Sequence, residues 1–187
     1  MKTKEARFRQ WNFFGKEREK QFVILPQAVF VSHRRYTTYE NMKDEFARAV
    51  DALAKEYPLA RVARFGLRYV NNIAIENLRN PFAFDDYLSP ALLNANKFFS
   101  APELLTRLFH VAELKVGDID VRFQFGFPNQ DYPAVIKRPL FVLDTDAYVQ
   151  VAHELAESIQ YMDRAHEQIQ LLFEASITDN LRALMHE

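Results

Sequence analysis

The sequence predicts an α+β fold: an antiparallel-rich sheet of about six strands in two sheet-then-helix halves, with a long C-terminal amphipathic helix packed on it. Three observations point there. Apolar residues alternate with polar ones in several stretches, the period of a half-buried strand. Two other stretches repeat apolar residues at steps of three and four, the period of a helix with one buried face. Composition supplies the third: 187 residues, 49% apolar, with 17 Phe against 4 Gly, enough for one aromatic-rich core and few glycine-built loops.

The chain opens as strand material. Phe8, Gln10, Asn12 and Phe14 alternate with Arg7, Arg9, Trp11 and Phe13 before a charged turn at residues 15–20. A second β run spans Gln21 to Ser32 and makes a hairpin with the first. Pro26, which cannot donate to a ladder, marks an edge, a bulge or a turn inside that run. Thr37-Thr38-Tyr39-Glu40 then carries the residues of a capping box. Met42, Phe46, Ala49, Val50, Leu53 and Tyr57 form the apolar stripe of a helix from Tyr39 to Glu56, with Phe46 as its anchor and Pro58 ending it. From Arg61 to Ile75 the alternation is clearest. Phe65, Leu67, Tyr69, Asn71, Ile73 and Ile75 take a core face; Arg64, Gly66, Arg68, Val70 and Asn72 take the other.

After Asn80-Pro81 the pattern loosens. Phe84 to Leu88 reads as the start of a short helix that Pro90 interrupts. Residues 104–114 and 118–127 alternate and are joined at Lys115-Val116-Gly117-Asp118 into another hairpin; residues 140–146 form a final strand. The longest helix follows, from Val149 to Ala175, because Val151, Leu155, Ile159, Met162, His166, Ile169 and Phe173 recur at steps of three and four. Thr178-Asp179 caps a short terminal helix carrying Leu181 and Leu184. A single domain, 1–187, results, with 1–75 and 76–187 as its lobes.

Composition also excludes function classes. A formal charge of −1 removes the global reason to expect a nucleic-acid coat, and zero Cys removes disulfides, thiolate metal sites and a thiol nucleophile. Neither phosphate-cradling glycine motif occurs, so the usual nucleotide folds lose ground. No apolar run reaches membrane-spanning length and the charged first residues lack a signal peptide's apolar segment, so a cytoplasmic protein with no membrane partner is expected. Charge is uneven along the chain. Residues 1–20 hold seven basic groups against three acidic ones, and residues 144–187 hold two against nine. Such a dipolar surface either orients a partner or is simply solvated.

The candidate ligand-binding residues are Arg64, Arg68, Asn72, Asp144 and Asp146. Arg64 and Arg68, four apart on one strand face, can hold a phosphate, a carboxylate or an RNA backbone, or can pair with acidic neighbours. Asp144 and Asp146 also share a face; they can hold a divalent cation, but Asp-x-Asp is too common to assign a metal. They would equally neutralise the two arginines if the strands were neighbours. Arg34 and Arg35, beside His33 and Tyr36, are the weaker nucleic-acid candidates. His166 reads as a core or boundary histidine, and His153, about 220° away around the same helix, cannot share a metal with it. Ser176 and Thr178 read as helix-end residues. No catalytic constellation, resident metal or cofactor is implied.

Three motifs occur in the order and spacing of a known family: Arg64-Phe65-Gly66-Leu67-Arg68-Tyr69-Val70-Asn71, then Val142-Leu143-Asp144-Thr145-Asp146, then Ala165-His166-Glu167 with Phe173-Glu174-Ala175-Ser176-Ile177-Thr178-Asp179. From Trp11 onward the chain resembles the sporadically distributed prokaryotic family of uncharacterised proteins. Members of that family usually carry a further N-terminal strand and helix, so the resemblance implies a truncated or short member whose first sheet has an open edge able to pair with another chain. Its patchy distribution implies a mobile-element, toxin–antitoxin or phage-defence setting. The function expected is a non-catalytic binding module that recognises a protein or its own copy. An enzyme or sensor of a small phosphorylated, anionic ligand is the alternative, and a weak nucleic-acid binder the third reading.

Overall fold

The computed structural model describes residues 9–58, 60–76 and 78–185, so the strand positions expected at Arg7 and Phe8 lie outside the described residues. Helix (32%) and antiparallel strand (34%) are nearly equal, and a long C-terminal helix packs on a sheet; the fold is α+β. The chain divides into two compact units, Met1–Leu59 and Ala60–Glu187. The lobe boundary expected at residue 75 thus falls earlier, because the strand ending there is hydrogen-bonded along its length to a strand after residue 139. Among the described residues there are nine strands in three sheets rather than about six in one, since the expected runs at 21–32 and 61–75 are each divided in two and a short strand at His153–Glu154 falls in a stretch expected to be helix.

In the first unit β1 (Trp11–Phe14), β2 (Lys20–Leu25) and β3 (Ala28–His33) make a meander, followed by α1 (Tyr39–Glu56). Leu25 faces Ala28 across Pro26-Gln27, so the proline settles as a turn residue, where its fixed φ helps and its missing N–H costs nothing. Thr38, in extended geometry, accepts from the Asn41 amide at 3.2 Å and starts α1; Tyr57, held out of helical geometry by Pro58, stops it. Glu45 reaches from the helix to the sheet, bonding Lys20 Nζ and lying 3.2 Å from His33 Nε2. The buried residue of α1 is Val50, whereas Phe46 is half-buried, so the anchor sits one turn beyond its expected place.

The second unit is built on a four-stranded antiparallel sheet in the order β5-β8-β7-β6. Its strands are β5 (Phe65–Ala74), β6 (Leu108–Val116), β7 (Ile119–Phe127) and β8 (Leu140–Val149), and the short pair β4 (Arg61–Val62) and β9 (His153–Glu154) lies in a separate ladder. The strand expected from Arg61 through Ile75 therefore breaks at Ala63-Arg64, where the chain changes sheets, although its core face is as expected: Phe65, Leu67, Ile73 and Ile75 are buried. Between β5 and β6 lies α2 (Pro90–Leu93), followed by two single 3-10 turns at Asn96–Phe98 and Pro102–Leu104. Pro90 begins this helix instead of interrupting one, since the first helical position has no use for an N–H.

The C-terminal helix also starts later than expected. Strand β8 runs on to Val149, β9 and a 3-10 turn at Leu155–Glu157 intervene, and α3 covers Ser158–Ser176. Val151 is exposed, so its fit to a period of four was coincidental. α3 lays Met162, Ala165 and Ile169 toward β5 and β8, and all three are buried. α4 (Asp179–Leu184) follows, capped by Thr178 as expected. The junction of α3 and α4 is sewn to the inserted segment: Ser89 N–H donates to Ser176 O at 2.8 Å, and Thr178 N–H to Tyr87 O at 3.0 Å. Beneath it Phe84, Phe127 and Phe141 meet with Leu88, Leu93 and Leu143 in the main core.

Candidate functional site: outer face and free edge of the four-stranded sheet

The pairing register alone places the charged residues. Arg68 faces Asp146 across β5 and β8, Asp146 faces Arg122 of β7, and Arg122 faces Glu113 of β6. One row away Tyr148 faces Asp120, and Asp120 faces Lys115. Because alternate residues point one way, these side chains share the face opposite α3. With Arg64 and Asp144 the face holds four cations and four carboxylates in a near-alternating lattice.

Four of the five candidate ligand residues meet on this lattice, as two ion pairs. Arg68 grips Asp144 with both ends of its fork, Nε to Oδ1 at 2.7 Å and Nη2 to Oδ2 at 2.6 Å. That hydrogen bond pushes the Arg68 pKa further above its ordinary value, so the guanidinium stays charged throughout the accessible pH range. Arg64 lies in the bend before β5; its Nη2 donates to Asp146 at 3.2 Å, and its guanidinium sits 4.6 Å over the Tyr148 ring. The space left open above Gly66 by its missing side chain is taken by the Arg64 guanidinium. Asn72, on the same face but facing Val142, stands apart from both pairs and lines a groove of about 730 Å³ with Phe173, Leu181 and Met185.

The remaining candidates do not join this site. Arg34 and Arg35 are exposed in the first unit, where the Arg34 amide donates to Glu19 O at 2.7 Å. His153 is on β9, not on the helix; it is buried with Nε2 3.1 Å from Ser158 Oγ and Nδ1 2.6 Å from Val151 O. His166 packs its ring against Tyr69, and Ser176 Oγ donates to Leu172 O at 2.6 Å. Among the described residues no three His, Asp or Glu converge as metal ligands, and no helix is long and apolar enough to cross a membrane.

At the far end of the sheet is β6, whose outer edge pairs with no strand among the described residues. Nine residues long, it carries exposed Phe109, Val111, Leu114 and Val116. Phe109 and Val111 lie on the charged face; Leu114 and Val116 lie on the inner face, beyond the cover of α3. The β6–β7 turn is Gly117-Asp118, with Gly117 at φ +62°, and Arg164 of α3 holds it by a two-pronged bond to Asp118. The sequence does place apolar residues on both faces of this strand, but that pattern reads as a central strand until the strand order is known.

The Arg164 hydrogen bond holds the Asp118 carboxyl below its ordinary pKa of 3.8. A carboxylate with a depressed folded pKa stabilises above its unfolded value and loses that contribution as pH falls through the folded one. Asp118→Asn is therefore expected to lower the melting temperature at pH 7 by at most about 4 °C, the yield of one exposed pair, and to show no deficit near pH 2. An equal deficit at both pH values, read by differential scanning calorimetry, would remove the pair from the acid limb.

No family model matches the chain, and no curated protein or solved structure matches it either.

Proposed function

We propose that this protein is a non-catalytic binding module that recognises a protein partner through the sheet edge of its second unit. The bare β6 edge is the observation that carries this reading. Unpaired N–H and C=O groups in a row template another strand, and exposed edges are ordinarily short, bulged or covered. This one is long and flanked by apolar side chains on both faces. The lattice beside it supports the same reading from the other direction. Arg64 and Arg68 are already neutralised by Asp146 and Asp144, so a phosphorylated ligand would first have to open both pairs. Resemblance to the sporadically distributed prokaryotic family implies a mobile-element, toxin–antitoxin or phage-defence setting for such a module.

The expected result is that Val111→Lys combined with Leu114→Lys leaves the circular dichroism spectrum and melting behaviour nearly unchanged while abolishing self-association and the retention of any partner that co-purifies with the wild-type chain from the host. A wild-type chain that stays strictly monomeric in light scattering and retains no partner would end the proposal. Stabilisation of the fold by nucleotides with Mg²⁺, lost in Arg68→Ala, would replace it with the anionic-ligand reading.

A further inference from the structure

Resting on the edge-binding reading, we infer that the partner strand is β6 of a second copy, added antiparallel about a two-fold axis at Leu114. The argument is charge complementarity along the lattice rows. In that register Leu114 faces its own copy, and Glu113 of each chain faces Lys115 of the other. The row Arg68, Asp146, Arg122, Glu113 then continues into the second chain's Lys115 and Asp120, so the alternation of sign runs unbroken through the junction. On the inner face the same register sets Leu114 against Leu114 and Ala112 against Val116, joining apolar residues that one chain leaves exposed.

A two-fold at Ala112 is the competing register, and it pairs the full nine residues. It sets Val111 opposite Glu113 and Phe109 opposite Lys115, burying apolar side chains against charges and interrupting the row. Lys115 and Glu113 are not loose gatekeepers of the edge. Lys115 Nζ lies 2.9 Å from Asp120 and Glu113 lies 3.9 Å from Arg122 Nε, so both charges rest over the charged face beside an oppositely charged neighbour. The Arg164–Asp118 bond fixes the hairpin end where the pairing is centred. The shared surface is small, so the association is weak and concentration-dependent.

Charge swaps test the register. Glu113→Lys alone and Lys115→Glu alone each put like charges opposite each other twice, and each should raise the dimer dissociation constant at least about tenfold in sedimentation velocity. Mixing the two variants should restore association as a heterodimer, because every cross-strand pair is again of opposite sign; the intrachain neighbours Arg122 and Asp120 are unfavourable in both states and cannot produce that rescue. The chain has no cysteine, so Leu114→Cys supplies a single thiol. It should form a disulfide-linked dimer on mild oxidation, since directly opposed residues lie about 4.5–5.5 Å apart, whereas Val111→Cys should not. Cross-linking through Ala112→Cys but not Leu114→Cys, or dimers indifferent to both charge swaps, would overturn the register. A monomer that nonetheless holds a different protein in a manner sensitive to Val111→Lys would overturn self-pairing and leave the edge-binding reading standing.

Discussion

Gly126→Ala is expected to cost about 3 kcal/mol or more in folding stability, read by chemical denaturation. Gly126 sits in β7 at φ +146°, a region that only glycine enters without strain. It is also buried, and it faces Phe109 of β6. A β-carbon there would lie 3.0 Å from both the carbonyl carbon of Leu108 and the Cα of Phe109, with the Leu108 oxygen closer still. All three are backbone atoms, so no side chain can rotate away. Relief requires β6 to move off β7 or β7 to leave its own geometry, and either breaks ladder bonds.

Because β6 has no strand on its other side among the described residues, it is the element that can give. The damage from Gly126→Ala should therefore concentrate there, as faster amide exchange along Leu108–Val111 with smaller change in β8, and self-association should weaken with it. Gly66→Ala is the control. Its nearest obstacle is Arg64 Nη1 at 2.9 Å, the far end of a flexible exposed side chain, so a cost under about 1 kcal/mol is expected. Equal costs at the two positions would show that the close backbone approach at Gly126 has no energetic weight.

The contrast between these glycines shows what a one-dimensional reading can reach. Alternation around Gly66 identifies both faces of β5, because burial of Phe65, Leu67 and Ile73 against α3 imposes period two on the sequence. The helix caps are similarly local: Thr38 and Thr178 act within three residues of themselves. Partnership across the sheet is not local. That Arg68 and Asp144 pair follows only if β5 and β8 are neighbours, and β8 enters between β5 and β7 although β6 and β7 come first in the chain. The same insertion exiles β6 to the edge, which is why its apolar residues carry no distinguishing mark in the sequence. Boundaries failed where a period fits by chance, as at Val151, or where a proline has two uses, as at Pro90.

Phe127→Ala is expected to cost about 3–5 kcal/mol, the range for truncating a fully buried aromatic. Phe127 follows Gly126 directly and is the hub of the aromatic core, 0% exposed. Its ring meets Phe82 at 5.0 Å, Phe84 at 5.8 Å and Phe141 at 5.0 Å, all three in edge-to-face geometry. The three neighbours come from two separate segments: Phe82 and Phe84 from the insertion after β5, Phe141 from β8. None can collapse into the vacancy without abandoning its own segment, and the insertion is held by Ser176 and Tyr87 backbone bonds at the α3–α4 junction. The cavity thus stays largely open, which places the loss in the upper part of the range. Phe127→Leu keeps most of the volume and loses the edge-to-face contacts, so about 1–2 kcal/mol is expected. A Phe127→Ala loss below about 1 kcal/mol would mean the core can repack around the hole, and the rigid platform from which β6 presents its edge would then lack its central support.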